Sequence, residues 1–370
     1  MTLELPEAKR LKLLKLIKKF SAMKRCKIRE FAEFTGSIIS GCPAIEYGWL
    51  YTKMFERVKI NALETNNNNY DAFMNLSHAL EPDFKWWGEN ILSRVKNVDY
   101  TPYAKVIFSD ASLTGWGAVC DGKKANGAWT SEEKNFHINL LELKAVFFGL
   151  KCFATKDENC SILLRVDNTT AISYINKMGG TRFAHLHSAA REIWQFCEER
   201  NIWIFASYIS SSNNFEADEE SRRVEPETEY SLSDSSFEVI IKRWNRPEID
   251  LFASRSNAKC NRYVSWKRDP SSEAIDAFTL SWANLFFYAF PPFSIILKVL
   301  RKIKRDEAEG IVVVPDWPNQ PWFPLFNSLL SSKPIVLKPN YNLLTSSNRN
   351  SHPMWRSLSL VAAKLSAKHC

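Results

Sequence analysis

Along residues 106–222 the chain repeatedly ends an apolar run on an acid, and this constrains the fold more than any other feature. Val106-Ile107-Phe108-Ser109 runs into Asp110, and Ser161-Ile162-Leu163-Leu164-Arg165-Val166 runs into Asp167. Short runs rich in β-branched residues read as strands. Gly115-Trp116-Gly117 reads as a turn signal after the first, with Ala118-Val119-Cys120 as the returning arm of a hairpin. Leu140-Leu141-Glu142-Leu143-Lys144-Ala145-Val146 reads as a helix that sets one acid in an otherwise apolar face and runs to about Phe153. After Asp167, a helix opens at Asn168-Thr169-Thr170 and stops at Gly179-Gly180. A longer helix from His185 to Cys197, a strand over 202–206, and Asn214-Phe215-Glu216-Ala217-Asp218 leading into Ser221-Arg222 complete the stretch. Strands and helices in this alternation predict an α/β fold with helices flanking a sheet.

Strand ends and helix starts project side chains into the crevice at one edge of a sheet. An acid among apolar neighbours is costly to bury without a partner. If Asp110, Glu142, Asp167 and Asp218 converge from such positions, they repel one another unless a cation sits between them. Hard divalent cations take oxygen ligands, and two of them roughly 4 Å apart can clamp the attacking and leaving oxygens of a phosphodiester. The residues therefore point to a two-metal carboxylate nuclease. Taken singly, each acid also reads as an ordinary cap or a solvated helix residue; the four in order carry the reading.

Ser109-Asp110-Ala111-Ser112 with Gly115-Trp116-Gly117, Leu141-Glu142-Leu143, Val166-Asp167-Asn168, and Asn214 through Ala217-Asp218 to Ser221-Arg222 form an ordered set. That set resembles ribonuclease H type 1, in the version fused to retrotransposon reverse transcriptases. The resemblance implies a ribonuclease H-like mixed sheet and hydrolysis of the RNA strand of RNA–DNA hybrids. It also implies a cofactor of two Mg2+ ions, with Mn2+ as a substitute, and makes Asp110, Glu142, Asp167 and Asp218 both the catalytic and the metal-binding residues. Glu142 and nearby backbone groups would read the 2′-hydroxyl of RNA. Asn168 and Lys144 are candidates for substrate contact. Tyr208 joins them because it falls where the family often places a histidine linked to proton transfer or product release, so the implied turnover is slow. The alternative, from a different class, is a catalytically weak nucleic-acid-binding remnant of a reverse transcriptase polyprotein.

The flanks extend the resemblance. From Pro6, apolar Leu11, Leu13, Leu14, Leu16, Ile17 and Phe20 alternate with lysines in an amphipathic basic helix, which suits either nucleic-acid backbone or plain solvation. Further helices read from Ile28 to Ser40 and from Ala44 towards Leu63. Trp86-Trp87 with Asn90-Ile91-Leu92 resembles the region joining polymerase thumb to ribonuclease H in retroelement enzymes, with the DIRS-like group closest. Residues 1–100 contain no Asp-Asp pair on a hairpin, so the polymerase part of the same element is an implied partner. Residues 223–236 are polar and acidic and read as a linker. Beyond it, Asp250-Leu251-Phe252-Ala253-Ser254 and Phe290-Pro291-Pro292-Phe293 resemble the adenine-methyltransferase-like domain found downstream of ribonuclease H in DIRS-like elements. Phe290 stands where that family carries an Asp or Asn to accept from the base, and phenylalanine cannot accept. Together with the lack of a glycine-rich loop, this makes methyl transfer an unexpected activity. The expected order is a helical thumb/connection-like region (1–100), the ribonuclease H-like domain (101–222), the linker, a second small α/β domain (237–340), and a loose tail (341–370) with a frayed helix from Leu358 to Leu365.

A net charge of +8 favours a polyanionic partner. Eight cysteines without a C-x-x-C pair suit free thiols in a reducing compartment, hence an intracellular protein of cytoplasm or nucleus. No apolar run is long enough to span a bilayer, which predicts no membrane partner. His185 and His187 lie two apart, on different helix faces, and read as surface residues.

Overall fold

A computed structural model describes residues 1–98, 102–223, 230–346 and 351–368. By contacts the chain divides into two compact units, residues 1–107 with 142–147 and 156–210, and residues 108–141 with 148–155 and 211–370.

The organising sheet has five strands: β1 (Tyr103–Ala111), β2 (Gly115–Cys120), β3 (Lys123–Ala128), β4 (Cys160–Val166) and β5 (Ile202–Tyr208), ordered β3-β2-β1-β4-β5. β1, β2 and β3 form an antiparallel meander, and β4 and β5 are parallel, as a mixed sheet requires. Four α-helices alternate with or follow these strands: Ile138–Phe153, Thr169–Asn176, Ala184–Glu198 and Phe215–Arg222. The Gly115-Trp116-Gly117 segment is not the turn. All three residues lie inside β2 and are buried, while Ser112-Leu113-Thr114 makes the reversal, with the Ser112 hydroxyl accepting from the Gly115 amide at 3.1 Å.

The first unit opens with four helices, α1 (Glu7–Ser21), α2 (Ile28–Ile39), α3 (Lys53–Thr65) and α4 (Glu81–Asn90); the sheet helices above are then α5, α6, α7 and α8 in chain order. α1 buries Leu13, Ile17 and Phe20 at one-turn spacing and leaves Lys12, Lys15, Lys18 and Lys19 in solvent. Phe20, Phe31, Phe34, Phe55 and Phe84 form one aromatic core among these helices. Residues 1–98 also bond into α7 and β5. Tyr47 donates to the Ile202 carbonyl at 3.0 Å, and the Glu198 carboxylate accepts from Tyr51 (2.6 Å), Trp86 (2.8 Å) and Arg94 (2.8 Å). A carboxylate this thoroughly satisfied is cheap to bury and fixes the helices around it.

The second unit continues past the linker. A short strand, Tyr230–Leu232, pairs with Leu344–Ser346, so the expected linker is ordered from 230 onward; residues 224–229 lie outside the described residues. Then come α9 (Asp234–Trp244), β6 (Ile249–Asp250), β7 (Arg262–Tyr263), β8 (Phe286–Ala289), α10 (Ile296–Arg305), β9 (Glu309–Pro315), α11 (Phe323–Ser328), β10 (Ile335–Leu337) and β11 (Leu360–Ser366). The sheet order is β7-β6-β8-β9-β11-β10, with β6 to β9 parallel and β11 antiparallel to both its neighbours. Both faces carry apolar cores, which is why Ile311 to Val314 can be an unbroken apolar run. α10 buries Ile296, Val299, Leu300 and Ile303 and exposes Lys298, Arg301, Lys304 and Arg305.

The reading of the C-terminal segment is corrected here. Leu358 to Leu365 is not a frayed helix, and the described part of 341–370 is not a loose tail: β11 lies between two strands with Leu360, Ala362, Ala363 and Leu365 fully buried. Phe290 and Phe293 meet each other edge to face, ring centres 6.2 Å apart, and both pack on the apolar core. Among the described residues no helix is long and apolar enough to cross a membrane.

Candidate active site

Each acid of the quartet is placed by a different element. Asp110 is the penultimate residue of β1, opposite Gly117 of β2. Glu142 comes one turn into α5, after the cap His137, whose Nδ1 accepts from the Asn139 amide at 3.2 Å. Asp167 follows directly on β4, and Asn168 then caps α6, its side-chain oxygen accepting from the Ala171 amide at 2.9 Å. Asp110, Glu142 and Asp167 each present a carboxylate oxygen, and the three oxygens lie within 4.8 Å of one another. Asp110 and Glu142 are only 5% and 4% exposed, and Asp167 is half-buried.

Three carboxylate charges this close, two of them buried, repel one another. A divalent cation removes the conflict. Oxygens bound to magnesium at 2.0–2.1 Å lie roughly 2.9–4.2 Å from each other in an octahedral shell. The observed spacing is within about an ångström of that shell, a distance carboxylate rotation covers. The residues present thus fit a hard, oxygen-loving ion.

Asp218 stands outside this group. It is the fourth residue of α8, and its Oδ1 accepts from Nε and Nη2 of Arg222, one turn on, at 3.0 and 2.6 Å. That hydrogen bond, then the Asp218 charge, hold the Arg222 guanidinium above its ordinary value, and Asp110 adds in the same direction. Three of the four expected acids therefore meet, while the fourth is compensated by an i,i+4 arginine. Both partners are open to solvent, so the pair is weak and readily exchanged.

α8 itself is held close to the sheet. Asn214, buried at its start, donates Nδ2 to the Ser109 carbonyl at 3.0 Å, beside Asp110. Ser112 donates its hydroxyl to the Ser221 carbonyl at 2.7 Å. A Cβ on Gly117 would fall 2.3 Å from the Ala217 carbonyl oxygen, and one on Gly115 would fall 3.0 Å from that of Ser221. The two glycines exist so that helix backbone can lie directly on strand backbone.

Tyr208 ends β5 in register with Val166, beside the residue that precedes Asp167, and is 58% exposed. Lys144 is half-buried two residues after Glu142 and so points to another side of α5. Sequence reasoning missed Arg222 as the partner of Asp218; their i,i+4 spacing was the available signal. His185 is exposed as expected, but His187 is not a surface residue. It is buried against Gly179, where a Cβ would fall 2.3 Å from Nδ1. Burial, then Arg191, Lys53 and Arg57, push its pKa down to about 4.

No family model matches the chain, and no curated protein matches it. Solved structures do. The crystal structure of RNase H1 from the halophilic archaeon Halobacterium salinarum NRC-1 is 16% identical, covers 31% of this chain and 92% of that one, and gives a TM-score of 0.27. LC11-RNase H1 in complex with RNA/DNA hybrid is 17% identical with the same coverage, 31% and 92%, and a TM-score of 0.28. The foamy viral protease-reverse transcriptase in complex with RNA/DNA hybrid is 10% identical over 55% of this chain and a TM-score of 0.22; the match spans 27% of that chain.

Proposed function

We propose that this chain is a ribonuclease H-type nuclease of retroelement origin that hydrolyses the RNA strand of RNA–DNA hybrids with magnesium, manganese serving as a substitute. The observation that supports it is the meeting of Asp110, Glu142 and Asp167, brought from a strand, a helix and a strand end. A divalent ion bound there supplies positive charge to a phosphodiester and acidifies a water. The three carboxylates hold and orient it. Arg222 at the rim carries guanidinium donors of the geometry phosphate oxygens take. Asp218, released from Arg222, would be the fourth carboxylate the resemblance implies. Tyr208 and Asn168 border Asp167 and are the candidate substrate contacts, with Lys144 behind Glu142. The basic face of α1 and the net charge of +8 suit a polyanion. Residues 1–98 and the C-terminal sheet fit the end of a DIRS-like reverse transcriptase acting inside the cell, with the C-terminal sheet a binding or structural module rather than a methyltransferase.

The test is a hybrid labelled on its RNA strand, incubated with magnesium and the chain or its Asp110→Asn and Asp167→Asn variants. Cleavage by the parent chain, lost in both variants, is expected. Cleavage that survives both refutes the proposal. A second reading, a catalytically weak nucleic-acid-binding remnant, is favoured by the arginine on Asp218 and by a phenol where the family has an imidazole. Hybrid bound tightly but uncut, in magnesium or manganese, is its signature.

A further inference from the structure

The C-terminal sheet domain sends one loop, residues 255–268, onto the nuclease-like sheet. Arg255 grips Glu133, just before α5, with two parallel hydrogen bonds of 3.0 and 2.6 Å, reaches the Ala128 carbonyl at the end of β3 (3.4 Å), and lies over the Phe148 ring at 4.4 Å. Arg268 donates to the Cys152 carbonyl at 3.4 Å and lies over Phe153 at 5.6 Å. Between these two clamps, Lys267 donates to the side-chain oxygen of Asn126 on β3. The Asn126 amide nitrogen in turn donates to the Glu220 carboxylate at 2.5 Å. Glu220 is on α8, 3% exposed, with Lys124 at 3.5 Å and Arg223 at 3.3 Å from its other oxygen.

We propose that the C-terminal domain, through the Lys267–Asn126–Glu220 relay, positions α8 and thereby Asp218 and Arg222 at the candidate site. The inference rests on the nuclease reading for its catalytic consequence but not for its structural one. Asn126 is buried and both ends of its amide are used, so it transmits orientation rather than merely filling space. A buried carboxylate holds its place only while its partners do. α8 meets β2 backbone to backbone at Gly115 and Gly117, with no side chain between to absorb slack. A shift at Glu220 therefore reaches Asp218, two residues earlier, as a displacement of the helix. Misplacement of a reacting group by about 1 Å costs on the order of a hundredfold in rate. Lys267, Asn126 and Glu220 are thus positioning residues, and the domain that carries Lys267 is a working part of the nuclease.

The test uses the full chain with Lys267→Met, Lys267→Arg and Glu220→Gln. Five quantities are read: kcat and KM on the hybrid, manganese binding by calorimetry, thermal midpoint, and amide exchange across 215–222. Lys267→Met is expected to lower kcat at least tenfold with KM within twofold and the midpoint nearly unchanged, and to speed exchange in α8 but not in β4. Lys267→Arg should restore most of both. Glu220→Gln should mimic Lys267→Met, and the double variant should be no worse than either alone. Should Lys267→Met destabilise the whole chain, Lys267→Gln, whose shorter side chain stays polar but withdraws its donor from Asn126, takes its place. Unchanged kcat and unchanged α8 exchange overturn the proposal while leaving the nuclease reading intact. A parent chain that neither cuts hybrid nor binds manganese overturns the nuclease reading, and α8 exchange alone then decides whether the relay positions the helix.

Discussion

Gly117→Ala probes the contact on which the site's geometry depends. A methyl group there would lie 2.3 Å from the Ala217 oxygen, 2.5 Å from the Ser221 nitrogen and 2.9 Å from the Glu220 carbonyl carbon. Favourable carbon contacts begin near 3.5 Å, so α8 must retreat by about an ångström. All three obstructing atoms are backbone, and none can swing aside. The retreat stretches the Asn214–Ser109 and Ser112–Ser221 bonds that pin the helix. Overpacking costs about 1–3 kcal/mol, and weakening two bonds adds roughly 1 kcal/mol more. Domains of 150–250 residues lose roughly 2–4 °C per kcal/mol, so calorimetry should show the second unit's transition about 5–10 °C lower. Hybrid cleavage should fall on the order of a hundredfold, because Asp218 adjoins the displaced carbonyl. Gly36→Ala is the control: nothing lies within 4 Å of a Cβ there, in the middle of α2, so it should be neutral or stabilise by up to about 1 kcal/mol. A Gly117→Ala chain melting within a degree or two of the parent and cutting normally would show that α8 does not rest on β2.

Other outcomes follow from the same geometry. Glu142→Gln should abolish manganese binding as fully as Asp110→Asn does, whereas Asp218→Asn, outside the group, should weaken it only several-fold; equal losses at all three would place Asp218 inside the group. Arg255→Leu leaves the buried Glu133 carboxylate without its main cation and should cost about 3–5 kcal/mol in urea unfolding, while the paired change Arg255→Met with Glu133→Leu should cost less. His187 titrates at about 4 in the fold against 6.5 unfolded, so its contribution is complete above pH 6.5 and is lost as pH falls towards 4, roughly 3 kcal/mol in all. Asp83, set against Arg191 and raised to about 6 by burial, works the other way: its contribution is complete below pH 3.8 and is lost as pH rises through about 6. Replacing His187 with Gln should therefore narrow the gap between variant and parent as pH drops from 7 to 4.5, and a gap that stays constant would refute the assignment.

How much of this was legible in the chain can be judged residue by residue. Asp110, Glu142 and Asp167 could be read as neighbours because each stands where a period breaks: the end of an alternating run, one acid in an apolar helical face, the residue before a helix cap. Asp218 could not be separated from them, because whether an acid joins a cluster or pairs with an arginine four residues on is decided in three dimensions. Gly115 and Gly117 read as a turn in sequence because glycine counts there by its freedom, whereas here it is used for its missing side chain; only the position of α8, a hundred residues later, tells the two apart. The segment that forms β11 reads as a frayed helix for a related reason. Leu358 to Leu365 is a short apolar run without alternation, and periodicity alone cannot decide whether such a run is a strand covered on both faces or a buried helix. Its partners β9 and β10 settle the matter by supplying a ladder on each side. The Lys267–Asn126–Glu220 relay lies furthest from view. Each of its members is an unremarkable polar residue in its own segment, and the link exists only because a loop from one sheet comes to rest on the edge strand of another. Local sequence carries the elements and the acids they aim; the connections that hold those acids in register are properties of packing, written in residues that no local pattern marks.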